Sequence, residues 1–198
     1  MLRTRHHGAV VDRVVTPVGS PSKGRLLVAT PRLEDPNFRR TVVLMVEHNA
    51  DGSLGLVLNR PSPLAVADVL PRWGERCGAQ ASMLVGGPVE PEAMLALALG
   101  PSESAGLSPI DEHVALVDLA ADPDTLAAEV EPILVFSGYA GWGPRQLDGE
   151  LAEGAWWVFD GAPEDLRADP GVLWHTVLAR QPSAATLLRE HPDNPSMN

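Results

Sequence analysis

Short apolar runs rich in branched residues, separated by turn-forming clusters, set the pattern of the first third of the chain. Leu26 to Thr30 reads Leu-Leu-Val-Ala-Thr, and Thr41 to Glu47 reads Thr-Val-Val-Leu-Met-Val-Glu. Nearly continuous apolar character at this length predicts strands covered on both faces. Between them, Pro31 to Phe38 contains two prolines and the turn formers Asp35 and Asn37, which predicts a loop. Asn49-Ala50-Asp51-Gly52 supplies turn chemistry before a third apolar run, Leu54 to Leu58, so the second and third strands are expected to form an antiparallel hairpin.

Further along, Leu64, Val66, Val69 and Leu70 have the spacing of a short helix over Pro63 to Trp73. Ser82 to Val85, Ala93 to Leu99, His113 to Asp118, Ile133 to Phe136 and Ala155 to Phe159 read as strands, with Gly86-Gly87-Pro88 as a sharp break. Asp122-Pro123 and Asp169-Pro170 each place an N-cap acceptor before the residue best suited to the first helical position. The second of these predicted helices carries Leu173, Trp174, Val177 and Leu178 on one side. The length predicts a single domain, placed over 21–182, with a flexible basic arm over 1–20 and a mobile tail over 183–198.

The densest stretch is Phe136 to Leu147, which holds three glycines, Trp142 and the chain's one tyrosine, Tyr139. It predicts a tight strand-to-helix corner. With Gly143 as N-cap and Pro144 at the first helical position, Gln146 can reach back to the Gly143 amide as half of a capping box, and Trp142 can staple onto Leu147. Leu147 and Leu151 then face the core, while Asp148, Glu150 and Glu153 point outward. The same corner admits a functional reading, in which free amides and Arg145 take an anion.

At 198 residues, with 44% apolar and 21% charged residues, the chain has ordinary globular composition and length for one sizeable core. The longest apolar run, Met94 to Leu99, is far short of a membrane-spanning helix, and the basic N-terminus leads into no signal-type apolar segment. A cytoplasmic location without membrane insertion is the expectation. Cys77 is the one cysteine, so no internal disulfide forms. The net charge of −11 opposes nucleic-acid binding, although residues 1–25 carry five bases and one acid.

Candidate chemistry is sparse. No Gly-x-Ser-x-Gly elbow, phosphate-binding loop or dinucleotide fingerprint is present. The six histidines show no metal-ligand spacing, so neither a metal nor a cofactor is expected. What remains is polar side chains on turns: Asp35 and Asn37, His48 at the end of the second strand, Asn59 and Arg60 at the end of the third, and Tyr139, Trp142, Arg145 and Gln146 at the corner. Arg60 and Arg145 offer planar forks matched to carboxylate or phosphate. Each also has an ordinary structural reading, as strand-end, loop or capping chemistry.

Gly24 to Ala29, Asp35-Pro36-Asn37-Phe38, Gly55 to Pro61, Gly86-Gly87-Pro88 and Gly138 to Gly143, in this order and spacing, resemble the YqgE/AlgH family of bacterial proteins. The resemblance spans nearly the whole chain. It implies one α+β domain with a bifurcated, partly barrel-like, mostly antiparallel mixed sheet flanked by helices. It implies no catalytic residues, and the transcriptional-regulator label that some members carry gains no support from the net charge. The leading expectation is a non-enzymatic binding or regulatory protein that holds a small anionic ligand or a protein partner. An enzyme, such as a hydrolase with His48 or Asp35 as base, and a DNA-binding regulator acting through the basic arm are the alternatives.

Overall fold

Leu26, Val28, Val42 and Leu44 face one side of a sheet and Leu27, Val43 and Met45 the other, which is why β1 (Arg25–Ala29) and β2 (Val42–Asn49) read as nearly unbroken apolar runs. The structure, a computed structural model, describes residues 19–78, 80–101 and 105–181. Residues 1–18 of the expected basic arm and the expected tail over 183–198 lie outside them. β3 (Gly52–Val57) returns antiparallel to β2 through the Ala50-Asp51 turn, as the turn chemistry predicts.

The remaining strands are β4 (Pro61–Ala65), β5 (Ser82–Val85), β6 (Val89–Leu99), β7 (Leu107–Pro109), β8 (Val114–Val117), β9 (Ile133–Trp142) and β10 (Trp156–Asp160). The helices are α1 (Val66–Val69), α2 (Pro71–Cys77), α3 (Gln146–Ala152) and α4 (Leu173–Ala179). The sheet runs β10-β1-β2-β3-β9-β6-β8-β7, with β5 parallel to β9 and β4 antiparallel to β5. This is an α+β fold in which a mostly antiparallel sheet curls into a half-barrel.

Helices cover the sheet because each offers one apolar stripe. α4 buries Leu173, Trp174, Val177 and Leu178 against Leu26, Val28 and Leu44. α3 contributes Leu147 to the opposite face, with Trp142, Trp156, Val43 and Met45. Trp73 of α2 closes the far half over Met83, Ala96, Ala98 and Val135, and its indole N–H donates to the Leu119 carbonyl at 3.1 Å.

β9 holds the two halves together, pairing with β6 and β5 through its first part and with β3 through its last. The switch is at Gly138, whose φ of 65° lies in the left-handed region. Before it, even-numbered Phe136 faces the α4 side; after it, odd-numbered Tyr139 does, and Ala140 and Trp142 join the α3 side. A residue inserted out of step reverses which positions face a given layer. Space at this crossing is minimal: a Cβ on Gly138 would sit 2.7 Å from the Gly87 carbonyl oxygen, and one on Gly87 would sit 2.2 Å from the Tyr139 carbonyl carbon.

Several boundaries differ from the sequence expectation. The helix expected over Pro63 to Trp73 is a strand followed by two short helices. β4 pairs with β5, the Val66 amide closes on the Ala81 carbonyl, and Leu70, before Pro71, leaves helical geometry. After Asp122-Pro123 only one 3-10 turn forms, Pro123–Thr125; the Asp122 carboxylate caps it, but Leu126 turns extended and is buried. Asp169 caps the Gly171 amide at 2.7 Å in a turn, and α4 starts later, at Leu173. β4, β7 and the second 3-10 turn, Pro163–Leu166, had no apolar period to reveal them.

Candidate functional site

The Phe136 to Leu147 stretch is mostly strand. β9 continues through Gly138 and Gly141 to Trp142, and α3 begins at Gln146 with Arg145, at φ 60°, in the N-cap position expected for Gly143. The predicted half capping box is present, with Gln146 Oε1 accepting the Gly143 amide at 3.1 Å. Trp142 and Leu147 meet in the same buried cluster.

Where α3 starts, it faces the turn end of the β2–β3 hairpin across a cavity of about 250 Å³. His48, Asn49 and Ser53 line it from the hairpin, and Gly143, Arg145 and Asp148 from the other side. His48 and Ser53 are register partners across the hairpin, and His48 Nδ1 lies 2.7 Å from Ser53 Oγ, which fixes the ring and leaves Nε2 for a ligand. Asn49 is held by its own turn, accepting the Asp51 amide at 2.8 Å and donating to Glu47 Oε1 at 2.7 Å. Arg145 is exposed and, among the described residues, its guanidinium takes part in no ion pair or hydrogen bond. The site therefore joins two sequence candidates, His48 and Arg145, that lie far apart in the chain.

Asp35, Asn37, Asn59 and Arg60 do not line this cavity. Asn59 is 8% exposed, with Oδ1 accepting the Val42 amide at 2.9 Å and Nδ2 donating to the Arg40 carbonyl at 2.8 Å, so its amide fastens the loop before β2 to the end of β3. Asp35 Oδ1 accepts the Asn37 amide at 2.8 Å in a tight turn. Arg60 Nη2 donates to the Arg39 carbonyl. Arg40 lies over the Trp174 ring, 5.7 Å from its centroid. Exposed Arg32 and Arg39 have no ion pair among the described residues, on a loop that also carries Glu34 and Asp35.

The corner aromatics separate. Tyr139 packs on the α4 side, where partial desolvation and then the adjacent Glu90 carboxylate hold its phenol above the usual value. Trp142 points to the α3 side, stacked on Phe38 and edge-on to Trp156. Its indole N–H donates to Glu150 Oε2 at 2.9 Å; Trp156 donates to the same oxygen at 2.8 Å, and Gln146 Nε2 to Oε1 at 3.0 Å. Glu150, expected to point outward, is the residue sequence reasoning missed. The available signal was the pair of indoles, since a buried tryptophan N–H needs an acceptor.

One further candidate resolves as structure. Cys77 is half-buried, and burial, only partly opposed by Arg76, pushes its thiol up to about 11, the direction of an unreactive group. No group of three or more His, Cys, Asp or Glu side chains able to hold a metal occurs among the described residues. Nor, among those residues, is any helix long and apolar enough to cross a membrane.

The AlgH-like family model matches residues 26–185 of the chain. The chain belongs to the AlgH-like family. It is 45% identical over 182 residues to a UPF0301 protein of Streptomyces coelicolor, covering 88% of this chain and 94% of that one. A UPF0301 protein of Mycobacterium tuberculosis is 42% identical over 193 residues, with 94% and 96% covered. Among solved structures, the crystal structure of protein DIP2367 of Corynebacterium diphtheriae superposes with a TM-score of 0.77 at 31% identity, covering 83% of this chain and 89% of that one. The solution structure of the AlgH protein of Pseudomonas aeruginosa gives 0.63, also at 31% identity, with 85% and 95% covered. The two solved structures support the fold over most of the chain, and their names carry no ligand or reaction.

Proposed function

We propose that this protein is a non-enzymatic, cytoplasmic binding or regulatory protein, and that it takes a small carboxylate carrying its own hydrogen-bond donor into the cleft between His48 and Arg145. The observation that carries this reading is the state of Arg145. Its guanidinium is uncompensated and stands at the cleft on a residue with φ 60°. A non-glycine residue in left-handed geometry costs about 1 kcal/mol, and such strain gathers where a side chain must be aimed. The fork matches a carboxylate. Asp148 on the same wall disfavours a dianion and suits a ligand with a donor, such as an amino or hydroxy acid. At about 250 Å³ the cavity is below the usual range for drug-sized ligands, which points to a small metabolite.

Calorimetry with a panel of small amino and hydroxy acids tests this. At least one should bind the wild type, and Arg145→Ala should weaken it roughly tenfold or more, the scale of a lost charge-assisted contact. Binding unmoved by both Arg145→Ala and His48→Ala would overturn the reading. A second reading, an acidic protein partner, rests on Arg32 and Arg39, without an ion pair among the described residues, beside Arg60. It predicts that Arg39→Ala, and not Arg145→Ala, weakens capture of that partner.

A further inference from the structure

A separate cavity opens between the start of β1, the turn before β8 and the 3-10 turn after β10, against the α4-side core, whereas the His48/Arg145 cleft is lined by Leu147 of the α3 side. It holds about 150 Å³. Its floor is apolar and belongs to the core: Leu26, Leu44, Val114 and Leu166 are 0%, 2%, 4% and 5% exposed. Gly24 and Gly161, which continue the β1–β10 ladder past Arg25 and Asp160, line its wall. Gly24 has a φ of 83°, and a Cβ on Gly161 would lie 3.2 Å from the Gly24 carbonyl oxygen, so the two backbones pack closely along this wall.

Three carboxylates line it, Asp111, Glu112 and Asp165, and they are not equivalent. Asp165 is engaged on both oxygens, by Arg180 and by the Ala162 amide. Asp111 is engaged on one: Oδ1 accepts the His113 and Val114 amides, both at 2.8 Å. Asp111 is exposed, and its Oδ2, 3.4 Å from where a Gly24 Cβ would be, has no donor among the described residues. Glu112 stands beside it, 3.4 Å from His113 Nε2. The leucine-floored cavity is thus bordered by a carboxylate with one oxygen fixed by two backbone bonds and the other without a donor among the described residues.

We propose that this cavity is a binding site for a primary ammonium group on a short aliphatic chain, with the alkyl part on the leucine floor and the ammonium on Asp111 Oδ2. Burying the apolar part supplies affinity, and the carboxylate selects the charged head. Water occupies about 30 Å³ per molecule in the liquid, so the volume accommodates roughly five heavy atoms, the size of n-butylammonium. The proposal is independent of the His48/Arg145 cleft.

The test is titration of the full ¹⁵N-labelled chain with n-butylammonium, n-butanol and butyrate, followed by two-dimensional NMR. Butylammonium should saturably shift the Gly24, Gly161 and Ala162 amides, butanol should bind at least tenfold more weakly, and butyrate should not bind there. Asp111→Asn keeps the Oδ1 acceptor and removes only the charge; it should weaken butylammonium at least tenfold and leave butanol unchanged. Glu112→Gln, which touches no backbone bond, is the second variant and should produce a smaller loss, while Arg145→Ala should have no effect. Equal affinity for butanol and butylammonium, indifference to both carboxylate variants, or shifts confined to other amides would each overturn the assignment.

Discussion

Trp142 and Trp156 donate their indole N–H groups to one and the same oxygen, Oε2 of Glu150, at 2.9 and 2.8 Å. The two rings meet edge to face at 5.9 Å, and Phe38 packs on both. One carboxylate on α3 therefore anchors the end of β9, the start of β10 and the loop before β2. Replacing it with Ala removes the acceptor of two largely buried donors, each worth about 1–3 kcal/mol when left unsatisfied. Glu150→Ala should destabilise the fold by about 2–4 kcal/mol in urea unfolding, and Glu150→Gln, which retains one acceptor oxygen, by clearly less. Equal losses for the two variants would show that the indole bonds contribute little.

Glycines in this chain should respond oppositely to the same substitution. Gly138→Ala drives a Cβ to 2.7 Å from the Gly87 carbonyl oxygen on a residue at φ 65°, so both sterics and backbone oppose it. A loss of about 3 kcal/mol or more is expected, in the upper range for point substitutions. Gly149, inside α3, has nothing within 4 Å of an added Cβ. Gly149→Ala should stabilise by about 0.5–1 kcal/mol through helix propensity. Thermal melts of the two variants read both signs.

Asp165 and Arg180 form a two-pronged pair in which the carboxylate side chain is 1% exposed and the guanidinium 33%. Asp165 also accepts the Ala162 amide at 2.8 Å, so it ties the 3-10 turn after β10 to the end of α4. Removing one partner of such a pair typically costs about 3–5 kcal/mol. Asp165→Ala should lie near the low end of that range, because Arg180 can turn to water. Arg180→Ala should be at least as damaging, since it strands the buried charge; a chemical-denaturation series with the double variant measures the coupling.

Cys77 gives a pH prediction with a definite sign. Burial raises its thiol from 9.0 to about 11, so the folded state holds this proton more tightly than the unfolded chain. The contribution to stability is full below pH 9 and is lost as pH rises through 11. Because the thiol is only half-buried, solvent screening brings the loss to about 1–2 kcal/mol. With that discounted shift the thiolate fraction at pH 8 falls by roughly tenfold relative to the unfolded chain, so iodoacetamide should label native protein about that much more slowly. Native labelling as fast as in denaturant would contradict the burial.

The central strands were legible because both of their faces are covered, and an apolar run such as Leu26 to Ala29 needs no partner to be recognised. α4 was legible through Leu173, Trp174, Val177 and Leu178. β4 was not: Pro61-Ser62-Pro63-Leu64-Ala65 has neither period nor branched residues and is a strand only because β5 lies beside it. At the site, Gln146 capping Gly143 followed from local spacing. The meeting of His48 with Arg145 did not, because it depends on β9 delivering α3 to the β2–β3 hairpin. Glu150 escaped for a related reason, since helical phase alone placed it toward solvent and the indoles that turn it inward come from two different strands.

β9 completes pairings with β3, β5 and β6, all of which precede it in the chain. During synthesis, β3 and β6 are therefore made well before their common partner, and each presents an open edge until residue 142 has cleared the ribosome. Open edges are templates for the wrong neighbour. The order of the strands makes this protein's vulnerable interval a stage of translation, ended by the arrival of a single ten-residue segment.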